Sequence, residues 1–232
     1  MTQKNTNDLQ KLPVGRLGIL SPYSCAELGA KVDNYLVQWR KGKLDQQHTA
    51  IAFEGYERDT YLVKSELPRF GSGEGKGIIL ESVRGDDLYI LVDVCNYSLT
   101  YSLSGQINHM SPDDHFQNLK RIIAAVAGKA RRINVIMPFL YESRQHRRTG
   151  RASLDCALAL QELVNMGVEN IITFDAHDPR IQNAIPLHGF ETVQPSYQFI
   201  KNLLRNQPDL QIDKDHLMVI SPDERGMGRA IY

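Results

Sequence analysis

Asp175 and His177 stand two residues apart, directly after a β-branched and apolar run at 170–173, and Asp178 follows them. Such a run reads as a strand buried on both faces of a parallel sheet. If the chain stays extended, carboxylate and imidazole share one face. They would lie beyond the carboxyl end of a strand, where open α/β sheets take their ligands. An isolated Asp-x-His also fits a blander reading, with Asp175 capping the next turn and His177 a satisfied surface histidine. Two other turns are charged in the same way. After the apolar run at 133–137 come Arg144, Gln145, Arg147 and Arg148, with Arg151 close behind; after 217–220 come Asp223, Glu224 and Arg225. In a parallel sheet all three turns open on one edge, so convergence is the expectation. Guanidinium groups stay charged and grip phosphate oxygens bidentately, which suits a polyphosphate better than a neutral substrate, although a solvated basic loop is the plain alternative. A carboxylate and an imidazole beside phosphates can hold Mg²⁺, which keeps waters and takes only one or two protein groups.

The elements that must position these residues alternate. A strand at 17–20 is followed by helical spacing over 25–40 through Leu28, Val32, Leu36 and Trp39, and short strands are expected at 51–53 and 61–63. Four glycines between Gly71 and Gly77 mark a mobile or tightly turned loop without a phosphate-loop pattern. The run 88–94 reads as a buried strand and 96–110 as polar and irregular. Ser111, Pro112, Asp113 and Asp114 then start a helix whose face is Phe116, Leu119, Ile122, Ile123 and Val126, ending about Gly128. A further helix is expected over 153–166 with Leu154, Ala157, Leu158 and Val164 on its apolar face, then helical spacing at 197–204, a strand at 217–220 and a helix start from Gly226 to Tyr232. Alternating strands and helices predict an α/β fold with a doubly wound, mainly parallel sheet.

Composition narrows the function classes. With 232 residues and a formal charge of zero there is no global basic field for nucleic acid or a membrane surface, so any anion site is local. The three cysteines are scattered and odd in number, which fits buried thiols in a reducing, cytoplasmic compartment better than a disulfide framework. No run approaches a membrane span, and the polar start lacks the apolar core of a signal peptide.

Five stretches, in order, resemble ribose-phosphate pyrophosphokinases (phosphoribosyl diphosphate synthetases): RFGSGE at 69–74, VRGDDLYIL at 83–91, MPFLYESRQHRR at 137–148, FDAHDPRIQ at 174–182 and SPDERGMGRA at 221–230. The likeness runs over roughly Leu17 to Tyr232. It implies a phosphoribosyltransferase-like fold and an enzyme that transfers the diphosphoryl group of ATP to ribose 5-phosphate with Mg²⁺. It also implies that Arg144 and Gln145 contact ATP with Arg147 nearby on the phosphates, that His177 helps hold the Mg²⁺, and that Asp223 lies on the metal and ribose side. Phe70, Ser72 and Glu74 match a loop that the family lends to a neighbouring subunit to grip adenine, which implies a homo-oligomer, at least a dimer and commonly a hexamer.

Departures accompany the likeness. His146 stands where the family usually has Asp, Ser72 replaces the usual Asp or Asn, and the segment after Gln182 has fewer acids than usual. The residues around 41–56 lengthen the start, as in a longer subgroup of the family. The family's catalytic loop and its ribose 5-phosphate loop lie beyond the position that matches Tyr232, so the catalytic residues are unassigned and the chain is expected to be a fragment of the enzyme, inactive by itself. The expected organisation is a flexible arm at 1–14, a complete ATP-side domain at 15–195, and the incomplete opening of a second domain at 196–232. The main alternative to an enzyme fragment is a non-catalytic regulatory homologue that binds nucleotide or the enzyme.

Overall fold

The computed structural model describes residues 14–44, 58–213, 215–224 and 226–231. They fall into two compact units, divided between Val193 and Gln194. The expected arm, apart from Val14, and the expected strand at 51–53 lie outside the described residues. So does Tyr232, the position beyond which the family likeness puts the catalytic loop, and the expected helix start at 226–232 is therefore seen only as far as Ile231.

The first unit is built on five parallel strands in the order β1 (Arg16–Leu20), β4 (Asp86–Leu91), β7 (Arg132–Met137), β8 (Asn170–Phe174) and β9 (Gly189–Val193). Leu62 adds a parallel bridge on the free side of Ile19, held by Ile19 N–H to the Tyr61 carbonyl and Val63 N–H to the Ile19 carbonyl, both 2.8 Å. The chain therefore moves one way from β1 to Tyr61–Val63 and the other way from β4 onward. The sheet is doubly wound, with its reversal between β1 and β4. Right-handed crossovers then demand helices on opposite faces, and the two apolar clusters agree. Helix α1 (Ala26–Leu44) packs Val32 and Leu36 over Ile19, Tyr61 and Leu91. Helices α2 (Pro112–Val126) and α3 (Asp155–Asn165) pack over Leu20, Ile90, Val135 and Met137 on the other face.

α2 follows its sequence closely. Ser111 accepts from the Asp114 N–H at 3.2 Å while the Asp114 carboxylate accepts from the Ser111 N–H at 3.0 Å, a reciprocal cap. Phe116, Leu119, Ile122, Ile123 and Val126 are all buried, each side chain contributing roughly 1.5–3 kcal/mol by leaving water. α3 departs from expectation in part. Its buried residues are Cys156, Ala157, Ala159, Leu160 and Leu163, so Ala157 lies on the buried side as expected and Leu154 and Val164 are partly buried against the core, whereas Leu158 is 56% exposed. Apolar residues surround this helix, so spacing alone leaves its rotation open by one position. Similarly Leu28 and Trp39 of α1 are exposed, and Asp33 is buried because it accepts from Thr60 and from the Tyr61 N–H.

Five strands are absent from the expectations. Strands β2 (Ser65–Glu66) and β3 (Ile78–Ile79) pair antiparallel around the glycine-rich loop. The stretch expected to be irregular contains a hairpin, β5 (Thr100–Leu103) and β6 (Gln106–His109), closed by Ser104 and Gly105, both at positive φ. Two central residues in that region match the twist of a tight hairpin. Strand β9 was hidden by its mixed composition. The expected strand 88–94 begins two residues earlier, with Asp86 and Asp87 inside it, because arginines on neighbouring strands neutralise both carboxylates.

In the second unit, α4 (Ser196–Asn206) and α5 (Met227–Ile231) are helical. The expected strand at 217–220 does not form. Those residues are irregular and all four are exposed, since a strand needs a hydrogen-bonded neighbour and none pairs with them among the described residues.

Candidate functional site

Strands β7 and β8 are neighbours in register, so the turns that follow them emerge side by side. After β7 the chain turns at 141–144. Tyr141 fastens this turn to α2 by stacking on Phe116, with ring centroids 4.2 Å apart, and by donating its hydroxyl to Asp113 at 2.7 Å. Burial and that acceptor push the Tyr141 phenol well above its usual range. The Gln145 carbonyl accepts from the Cys156 N–H at 3.2 Å, which joins the turn to the start of α3. After β8, Ala176 N–H donates to Thr192 at 2.8 Å and Asp178 caps a short 3-10 helix, Pro179–Ala184. Glu142 and Asp175, one in each turn, both adopt positive φ, at 55° and 43°. Such backbone is costly for non-glycine residues and gathers at functional sites.

The two turns are bonded to each other. The His177 N–H donates to the buried Ser143 hydroxyl at 3.3 Å, His146 Nε2 faces the Asp178 carboxylate at 3.4 Å, and the His146 ring meets the His177 ring edge-on with centroids 5.1 Å apart. Arg180 grips Asp178 with two bonds, at 2.9 and 2.6 Å. That bidentate grip, with a smaller contribution from His146, holds the Asp178 carboxyl well below the usual carboxylate range. Burial, with Asp155 and Asp113 nearby, raises the Glu142 carboxyl. A groove of about 450 Å³ runs beside α3, lined in part by His146, Arg147, Asp178, Arg180 and Asn183.

Of the residues singled out in the sequence, the fold brings Arg144, Gln145, Arg147 and His177 onto this pair of turns, all four exposed. Phe70, Ser72 and Glu74 occupy a different place. They form a tight turn in which Phe70 N–H donates to the Glu74 carbonyl and Gly73 N–H to the Phe70 carbonyl, each at 2.8 Å, with Gly73 at φ 88°. Ser72 donates to the Glu74 carboxylate at 2.8 Å, and Phe70 is half exposed. Arg69 moors this turn to α2 and the hairpin: it donates to the Gly73 carbonyl, pairs with Asp114 at 3.3 Å and lies over the Tyr101 ring. Gly77 lets the loop approach α2, since a Cβ there would sit 2.7 Å from the Arg121 carbonyl oxygen. Asp223 lies in the second unit, exposed, accepting from the Gly226 N–H at 2.8 Å. The His146–Asp178 and Ser143–His177 contacts have no sequence signal, because the partners are more than thirty residues apart.

Among the described residues no three His, Cys, Asp or Glu side chains gather to cage a metal ion. The exposed His177 imidazole offers one protein donor, which fits instead a hard cation carried in on phosphate oxygens, since such an ion needs only one or two protein donors. Among the described residues no helix is long and apolar enough to cross a membrane.

Fold and site together define an α/β domain of doubly wound type whose carboxyl edge carries cations on two interlocked turns. Residues 17–167 match the family described as the N-terminal domain of ribose phosphate pyrophosphokinase, and the chain belongs to that family. Relatives include the ribose-phosphate pyrophosphokinase of Maricaulis maris (strain MCS10), 29% identical over 74% of this chain and 50% of the relative. Another is ribose-phosphate pyrophosphokinase 1 of Candida albicans, 31% identical over 73% and 47%. The chain spans about half the length of the curated relatives it matches. The crystal structure of phosphoribosylpyrophosphate synthetase from Mycobacterium smegmatis shares the fold, with a TM-score of 0.57 at 18% identity over 84% of this chain and 53% of that one.

Proposed function

We propose that this chain supplies the ATP side of a ribose-phosphate diphosphokinase, a transferase that moves the diphosphoryl group of ATP to ribose 5-phosphate. The observation that carries the reading is the pair of turns after β7 and β8: Arg144, Arg147 and His177 stand exposed on loops that hydrogen-bond to each other. Diphosphoryl transfer asks for charge neutralisation and alignment more than for a protein nucleophile. Arg144 would fork onto phosphate oxygens, with Gln145 and Arg147 beside it. His177 would help hold Mg²⁺, and Asp223, in the second unit, is read from the family likeness alone as a metal-side residue. When bound, that ion would neutralise charge developing on the phosphate oxygens. Phe70, Ser72 and Glu74, on a turn that Arg69 moors to α2 and the hairpin, would serve the adenine site of a neighbouring subunit in a homo-oligomer, a dimer or hexamer. In this reading residues 15–195 form the ATP-side domain, 196–232 open a second one, and 1–14 are an arm. The enzyme is cytoplasmic in this reading.

The test is calorimetric titration of the chain with Mg²⁺-ATP. Binding in the micromolar range is expected, weakened about tenfold by His177→Ala with the circular dichroism spectrum unchanged. Absence of binding, or equal affinity in the variant, would overturn the assignment. His146 in place of the family's Asp favours the second reading, a nucleotide-binding regulator. Mg²⁺-ATP binding without AMP release on adding ribose 5-phosphate, in a chain extended past Tyr232, would decide for it.

A further inference from the structure

We propose that His146 is a positioning residue, clamping the turn after β7 to the turn after β8 through Asp178 so that Arg144 and His177 meet one ligand. The assignment rests on the Mg²⁺-nucleotide reading of these turns. Side-chain links that join the turns include Ser143 with the His177 N–H and His146 with Asp178. The first acts on backbone. The second reaches side chain to side chain across 32 residues of sequence, and its ring also rests edge-on against the ring of His177.

The acceptor is pre-set. Asp178 is held by its own cap, accepting from the Arg180 N–H at 3.0 Å, and by the forked Arg180 guanidinium, so its Oδ2 has little freedom to leave His146. The His146 side chain is only 13% exposed although its neighbours Arg144, Gln145 and Arg147 all face water. Its Nδ1 is buried without a hydrogen-bond partner. A surface-loop histidine free to choose would turn that nitrogen to water. Its retention inside shows that packing between the turns, rather than solvation, sets the ring orientation. A ring so fixed limits the positions open to His177, as second partners do for ligating histidines.

Two measurements on the whole chain test the clamp: hydrogen exchange of the ligand-free protein over 140–148 and 175–184, and Mg²⁺-ATP affinity. His146→Ala is expected to speed exchange in both turns together and to weaken affinity five- to tenfold. His146→Gln, whose amide can place a donor at similar reach, should recover most of both. The exchange pair His146→Asp with Asp178→His should also exceed either single change. Wild-type exchange and affinity in His146→Ala, or a Gln variant no better than Ala, would overturn the clamp. A wild-type chain that binds no Mg²⁺-ATP would remove the nucleotide reading alone, because coupled exchange in the two turns still decides whether the clamp exists.

Discussion

The two ends of the parallel sheet treat charge in opposite ways. At the amino-terminal ends of the strands, Arg16 grips Asp86 with bonds of 2.9 and 3.1 Å, and Arg132 and Asn134 share Asp87. Asn170 then donates to Asn134 at 2.7 Å, extending the network to a fourth strand. Asp86 and Asp87 are almost wholly buried and fully answered. At the carboxyl-terminal ends, Arg144 and Arg147 have no acidic partner among the described residues, Glu142 and Asp175 hold strained backbone, and one His146 nitrogen is orphaned. Buried charge that is paired belongs to folding. Charge left open on a braced, strained edge is available to a ligand.

Three changes would break or sharpen this contrast. The largest is Asp87→Ala, which strands Arg132 and Asn134. With Arg132 partly exposed, a loss of about 2–4 kcal/mol in urea unfolding is expected, and the protein that remains folded should keep its Mg²⁺-ATP affinity. A selective loss of affinity would erase the division between the ends. Next, Arg144→Lys keeps the charge and removes the fork, so Mg²⁺-ATP affinity should fall roughly tenfold while the urea midpoint stays put. A shifted midpoint would make Arg144 structural.

The smallest effect is expected at Glu142. Its folded carboxyl is raised by burial and by Asp155 and Asp113, so the folded state disfavours the ionised form. The cost is absent below the ordinary glutamate pKa and appears as pH rises through the folded one. Glu142→Gln should therefore raise the melting temperature at pH 7 and leave it unchanged near pH 3.5. An equal rise at both values would point to backbone or packing instead of charge.

What the sequence made legible was local. The cap and stripe of α2 were visible because Ser111, Pro112 and Asp114 act within one turn and the apolar residues recur at helical spacing. Strand β8 was legible to within one residue, since its β-branched and apolar run, expected over 170–173 and found over Asn170–Phe174, stops at Asp175. The hairpin at 100–109 does carry a local signal, a Ser104-Gly105 turn between alternating residues. The rotation of α3 left none, because apolar residues on several faces make neighbouring stripes equivalent until a sheet selects one.

Short-range pattern was enough for the main strands and helices of the first unit, for Arg144 and His177 following strands β7 and β8, and for the family to which the motifs point. The reversal between β1 and β4, the answering of Asp86 and Asp87 by Arg16 and Arg132, and the meeting of His146 with Asp178 came with the folded chain. The reason is physical. Caps and periodicity are set by residues within a few positions of each other, whereas pairings across 32 to 70 residues arise only when strand register brings distant turns together.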